Sequence, residues 1–223
     1  MATWVTHFRI AEALISRDLP VSRIDFLVGN IGPDCGLIGE DGKPSPPKEI
    51  THFEINRVIT AESFYEKYLV DHPIDISSPK SSYYLGYYFH LVTDEEWIKL
   101  TNHKKKEEVF QSIINTPEYT PLVKKDWYGH DFVYLKENKE SIFWTDFQHI
   151  DEYPEYLSFF PAGQTSQQIR NITEFYHENS IAEDHEFIFL TREDIDGFVN
   201  HTIHLLCEIV SQRMKIWGAV CYE

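Results

Sequence analysis

The chain has 223 residues, 36 of them acidic and 20 basic, for a formal charge of −16. That balance argues against a nucleic-acid partner, whose phosphate backbone needs a basic patch. No run of about 18 apolar residues is present, so no membrane-spanning helix is expected, and 15 Phe, 13 Tyr and 5 Trp can fill the core of a single domain over residues 1–223.

The first residues, MATWVTHFRIAEALISRD, have no basic stretch leading into an apolar one. They predict an amphipathic helix over about 4–17 rather than a secretory signal. Trp4, His7, Phe8, Ala11, Leu14 and Ile15 share one stripe, which turns His7 inward. Cys35, Cys207 and Cys221 are an odd number and are read as reduced thiols of a cytoplasmic protein. Cys35 follows Asp34 directly, but a small loop residue is the preferred account.

A short helix is expected over Ser22–Val28, with Ser22 as its cap. GNIGPDCG (29–36) must then turn tightly. Asp34 either caps its own loop in an Asx-turn or reaches into a site. Residues 37–50 read as loop, with PSPPK (44–48) as a rim or lid over a pocket. His52 follows in THFEI, before a helix over about Thr60–Val70. The loop DHPIDISSPK (71–80) holds His72, expected to be exposed.

Ser81–Thr101, SSYYLGYYFHLVTDEEWIKLT, predicts a long, largely buried helix. His90 and Asp94 lie one turn apart on one face of it. Gly86, a further turn back, leaves room for a ligand or for a second backbone. A buried histidine neutralised by its neighbour is the plain alternative to a metal platform.

After Thr101 the chain is charged. KKKEEVFQSII (104–114) predicts a solvated amphipathic helix, and Pro117 and Pro121 mark a break. Residues 122–143 predict a helix carrying His130 and Asp131, which point about 100° apart. An aromatic loop spans 144–164. Further helices are expected over 166–180, with Ser166 as a cap, and over Arg192–Trp217, with Thr191 as N-cap. His201, His204 and Glu208 have a spacing that could converge on a metal, but they are read as the wet side of the last helix. The whole reads as all-α, a multi-helix bundle around a buried metal site.

His7, Asp34, His52, His90 and Asp94 form the candidate ligand set. Imidazoles with carboxylates suit zinc and similar divalent ions, with manganese, iron and nickel as alternatives. The order THF around His7, GNIGPD ending at Asp34, THF around His52 and YLGYYFHLVTD over His90 and Asp94 resembles the zinc-dependent phospholipase C family, which shares its fold with P1-type nucleases. The resemblance covers roughly the first 100 residues. It implies an all-α bundle, one zinc on Asp34, His52, His90 and Asp94, and a second bridged by Asp94 to His7. A third site would need another histidine after His90-x3-Asp94, where His103 is a loose match, and a His–Glu pair that His204 and Glu208 could supply. The safer expectation is one or two zinc ions.

These readings lead to a metal-dependent phosphoesterase acting on a small phosphoester or a phospholipid headgroup, with Asp34 as ligand and proton acceptor. One alternative is a His–Asp (HD-type) phosphohydrolase built on His130–Asp131, with His90 and Asp196 as further ligands. The other is a non-catalytic metal- or ligand-binding relative.

Overall fold

The structure, a computed structural model, describes residues 1–40, 42–70 and 75–214. The expected His72 falls outside these residues, as do Cys221 and the end of the last predicted helix. The described chain is mainly α. The helices in order are α1 (Trp4–Ile15), α2 (Arg23–Gly29), α3 (Lys48–Thr51), α4 (Ala61–Tyr68) and α5 (Pro79–Lys104). They continue as α6 (Glu108–Gln111), α7 (Tyr119–Glu137), α8 (Ile142–Thr145), α9 (Gln164–Glu178) and α10 (Arg192–Ile209).

The bundle is built around α5. Pro79 opens it at the first helical position, where a missing N–H costs nothing. At 26 residues it is about 39 Å long. Every residue from Leu85 to Asp94 is buried, so this stretch has no wet face and is enclosed by its neighbours. Phe64 of α4 stacks on Tyr87, Phe26 of α2 meets Phe89 edge-on, and Phe198 of α10 meets Trp97 edge-on.

The closest of these neighbours is α2. A Cβ on Gly86 would run into the carbonyl oxygen of Phe26, and one on Gly29 into that of Tyr83. Gly86 therefore makes room for a second backbone and not for a ligand. α1 packs against α2, α5, α8 and α10 and is tied down by Glu12, which accepts from the Ile142 N–H at 3.1 Å and from the Tyr134 hydroxyl at 3.1 Å. A second tie holds the segment before α10 to α7. Buried Asp126 accepts the N–H groups of Ile188, Phe189 and Leu190 at 2.8, 2.6 and 3.3 Å, and meets His185 Nε2 at 2.8 Å.

Several predicted boundaries move. α7 begins at Tyr119, so Pro121 sits inside its first turn and is no break; the N–H it lacks would have had no partner within the helix. The helix ends at Glu137, and 142–145 is a separate turn. In the charged run 104–114, Lys104 still belongs to α5 and a single turn, α6, follows. Ser22 holds the N-cap position of α2, but its hydroxyl donates to Asp25 Oδ2 at 2.5 Å and caps no backbone. Ser166 lies within α9, whose N-cap is Gly163, and its Oγ accepts the Tyr153 N–H at 2.8 Å. Thr191 caps α10 as expected, in a reciprocal box with Asp194. α10 ends at Ile209 and gives way to a π turn over Val210–Met214. Within the loop 37–50 the chain forms a two-residue ribbon, β1 (Leu37–Ile38) against antiparallel β2 (Pro44–Ser45).

The close approach of α2 and α5 gives a direct test. Gly86→Ala gains about 1 kcal/mol of helix propensity, but its methyl must push α2 away, at a cost of about 1–3 kcal/mol. We expect a net loss of stability in urea denaturation. A more stable variant would mean that α2 can move off α5 without cost.

Candidate metal centre

Four elements bring the five predicted residues together. His7 comes from α1, where the apolar stripe turns it inward and leaves it fully buried. His90 and Asp94 come from the enclosed part of α5 and are also fully buried. Asp34 ends a single 3-10 turn over Gly32–Asp34. His52 sits at the C-cap of α3, 1% exposed.

Asp34 does not cap its own loop. Its Oδ2 accepts the indole N–H of Trp4 at 3.0 Å, and its Oδ1 lies 3.4 Å from His52 Nε2. Asp94 is shared in a similar way. Its Oδ1 accepts the Ala2 N–H at 2.7 Å and lies 3.6 Å from His7 Nε2, while its Oδ2 lies 3.3 Å from His90 Nε2 and 3.7 Å from His52 Nε2. The imidazole–carboxylate separations are long for hydrogen bonds between such groups. The donor atoms instead surround common space. They form two overlapping groups, His7–His90–Asp94 and Asp34–His52–His90, with ligand atoms within 4.8 Å of one another in each.

The surrounding bonds aim these donors. His90 Nδ1 lies 2.7 Å from the carbonyl of Asn30, which can only accept. That contact fixes the proton on Nδ1 and leaves Nε2 to face Asp94. Asn30 is itself held by its side-chain bond to the Phe26 carbonyl at 2.8 Å. His52 Nδ1 lies 3.0 Å from the Thr51 hydroxyl. Several atoms of the cluster remain without a partner: both ring nitrogens of His7, Nε2 of His52, Nε2 of His90 and Oδ2 of Asp94 are buried and make no hydrogen bond among the described residues. Buried polar atoms are ordinarily satisfied, and each orphan costs about 1–3 kcal/mol. This donor set fits a divalent cation, which would take one nitrogen from each ring together with Asp94 Oδ2.

The electrostatics agree with that use. The rings of His7 and His90 stack at 3.8 Å, nearly parallel, so protons on both are disfavoured. Burial, helped by His90, pushes His7 down to about 4. Burial also opposes the charge on His90, but Asp94 and Asp34 outweigh it and raise that group. Burial alone would raise both carboxyls. His90 and the contacts with His7 and His90 hold Asp94 well below the usual range, and His52 and His90 do the same for Asp34. Ionised carboxylates beside a neutral imidazole are the form that ligates metal.

The cluster lies under a cleft of about 720 Å³ that Asp34 and His52 line together with Trp4 and Thr51. The proline-rich segment forms part of its rim, through Pro44 and Lys48. Asp34 is the most open of the five, its side chain 12% exposed.

Other sequence candidates stay apart. His130 Nε2 lies 2.7 Å from the Leu190 carbonyl and its ring stacks on Phe187, while Asp131 faces Thr3 and Tyr176 and Asp196 pairs with Arg9. Those residues build no His–Asp site with His90. His201, His204, Glu208 and His103 are exposed and belong to no ligand group among the described residues. Cys35 is buried and its Sγ lies 3.5 Å from the Ile31 carbonyl; burial pushes its thiol up, so the loop-residue reading holds. The sequence reading missed Trp4 as the anchor of Asp34, the Asn30 carbonyl and the Ala2 N–H. Trp4 had a signal, since it shares the helical stripe of His7, but it was read as core alone.

No protein-family model, curated protein or solved structure matches the chain.

A further carboxyl supports the centre from outside. Asp131 accepts the Thr3 hydroxyl at 2.6 Å and the Tyr176 hydroxyl at 2.6 Å. It thus holds the residue next to Ala2, whose N–H meets Asp94. Burial raises Asp131 from 3.8 to about 7. The native state therefore keeps a proton that the unfolded chain releases, so this group's contribution to stability falls as pH rises from about 4 to 7. Asp131→Asn cannot ionise. We expect the stability of that variant relative to wild type to rise across the window, by up to about 4 kcal/mol, and to level off above it. A pH-independent difference in urea midpoints would show that Asp131 is already ionised in the native state.

Proposed function

We propose that the chain is a metal-dependent phosphoesterase of the phospholipase C and P1 nuclease type. The observation that carries the reading is the convergence of four buried residues with unpartnered donor atoms, His7, His52, His90 and Asp94, beneath a cleft. Asp94 supports the two-ion arrangement that the sequence resemblance implies. One of its oxygens is nearest His7, and the other is nearest His90 and His52. His90 belongs to both ligand groups, and Asp34 and His52 complete the group nearer the cleft. Zinc suits these donors best, with manganese, iron or nickel as the alternatives.

A divalent ion held by these residues would supply a water of lowered pKa and a positive charge for the phosphoryl oxygens. The protein's own groups do the rest. Asp34 stands at the cleft boundary, ionised, with Oδ2 fixed by Trp4, so Oδ1 faces His52 and can take up the proton of an attacking water. His7, His90 and Asp94 lie beneath, fully buried, where they hold charge and exclude solvent. The partly exposed edge at Asp34 supports an open site over a closed structural one, in which every ligand position is taken up by protein groups.

The test begins with metal content. Mass spectrometry of the purified protein should find one to two equivalents of a transition metal, and His90→Ala and Asp94→Asn should lose most of it. Turnover of bis(4-nitrophenyl) phosphate should fall by about a hundredfold or more in both variants. If neither protein takes up metal after incubation with zinc or manganese, His90 and Asp94 are a buried structural pair and the phosphoesterase reading fails.

A further inference from the structure

The chain carries 36 acidic residues against 20 basic ones, yet its cleft has the opposite bias. Among the described residues that line it, Asp34 is the one carboxylate, and that side chain is already engaged with His52 and Trp4. The cations of the lining are Lys48 and Lys124. Lys48 is half-buried on α3, one turn before His52, so it stands beside the inner end of the cleft. Lys124 is exposed on α7, within one turn of Trp127 and Tyr128, which also line the cleft.

Neither lysine is in an ion pair among the described residues. The hydrogen-bond partner of Lys48 is the thioether sulfur of Met1 at 2.9 Å, a weak acceptor that an anion would displace readily. Lys99 and Lys136, by contrast, hold carboxylates of Glu96 and Glu183. Two unpaired cations facing a concave, partly apolar space focus positive potential there, against the negative field of the rest of the molecule.

We propose that Lys48 and Lys124 make the cleft selective for phosphoesters whose leaving portion carries a second anionic group, and against headgroups that end in a quaternary ammonium. The inference rests on the phosphoesterase reading and narrows its substrate class. A cationic tail would find two like charges and a single carboxylate already in use. An anionic tail would find two ammonium groups without competing partners. Trp4, Trp127 and Tyr128 offer apolar surface to the carbon chain that joins the two ends.

Phosphonates test this without turnover, because their P–C bond is not hydrolysed and their tails differ chiefly in charge. On zinc-loaded protein at low ionic strength, calorimetry would compare 3-phosphonopropionate, propylphosphonate and 2-(trimethylammonio)ethylphosphonate, with metal content measured before and after each titration. We expect 3-phosphonopropionate to bind about three- to tenfold more tightly than propylphosphonate, and 2-(trimethylammonio)ethylphosphonate more weakly than either. The preference should shrink near 1 M salt, where charges are screened within about 3 Å. It should also vanish in the Lys48→Ala/Lys124→Ala protein, with metal content unchanged. Equal affinities for the three ligands, no binding of any by metal-loaded protein, or a preference that survives the double substitution would each overturn the inference while leaving the metal centre standing. Failure to load metal would instead overturn the phosphoesterase reading, and this inference with it.

Discussion

The contact on which the centre depends is the backbone approach of α2 to α5 at Gly29 and Gly86. With side chains at those positions the two helices would have to separate, because the space of each Cβ is filled by a carbonyl of the other helix. Their closeness puts the C-cap residue of α2, Asn30, beside the next turn of α5, so that its carbonyl meets His90 Nδ1. The chain then has only the turn Ile31–Pro33 to cross before Asp34. Asp34 therefore arrives opposite the face of α5 that carries His90 and Asp94. A single helix–helix distance thus sets both the direction of one imidazole and the position of a carboxylate from another element.

The second constraint is electrostatic. Three imidazoles and two carboxylates are gathered where little or no water reaches, and five of their atoms have no hydrogen-bond partner among the described residues. Left alone, such a cluster opposes folding, because burial penalises every charged form and every unsatisfied polar atom. Here the opposition is lessened by arrangement. Burial favours the neutral form of His7, the carboxylates of Asp94 and Asp34 oppose the penalty of burial at His90, and the Ala2 and Trp4 N–H groups each donate to one carboxylate oxygen. The rest of the molecule supplies the needed rigidity through an aromatic shell around α5 and through the ties made by Glu12 and Asp126. A cation that binds the native cluster and not the unfolded chain would convert this local strain into stability.

How much of this was legible in the sequence follows from what each residue leaves in the pattern. His7 was legible because a helical stripe of apolar residues has one inward face, and His90 and Asp94 because their helix is apolar all round. Asp34 and His52 were legible as residues of unusual context, but nothing in the spacing places them within 3.4 Å of each other. The outer bonds were not legible. A backbone carbonyl such as that of Asn30, or the N–H of Ala2, has the same sequence signature wherever it points. The β1–β2 ribbon was missed because two residues per strand cannot show an alternation. The start of α7 was misplaced because Pro121 was read as a breaker, whereas the first turn of a helix tolerates proline. Gly86 was ambiguous between ligand and backbone, and only the carbonyl of Phe26 resolves it.

The depth of each ligand separates two roles within one cluster. His7, His90 and Asp94 belong to the bundle itself: they sit on its long helices, have no exposure, and can move only if the core moves. Asp34 and His52 belong to short turns at the edge, next to the ribbon and the proline-rich rim, and both face the cleft. A rigid inner set fixes charge without reorganisation, while the outer set lies beside solvent. The proposed hydrolysis would draw on both, the inner residues holding the ion and the outer ones meeting substrate at the cleft floor.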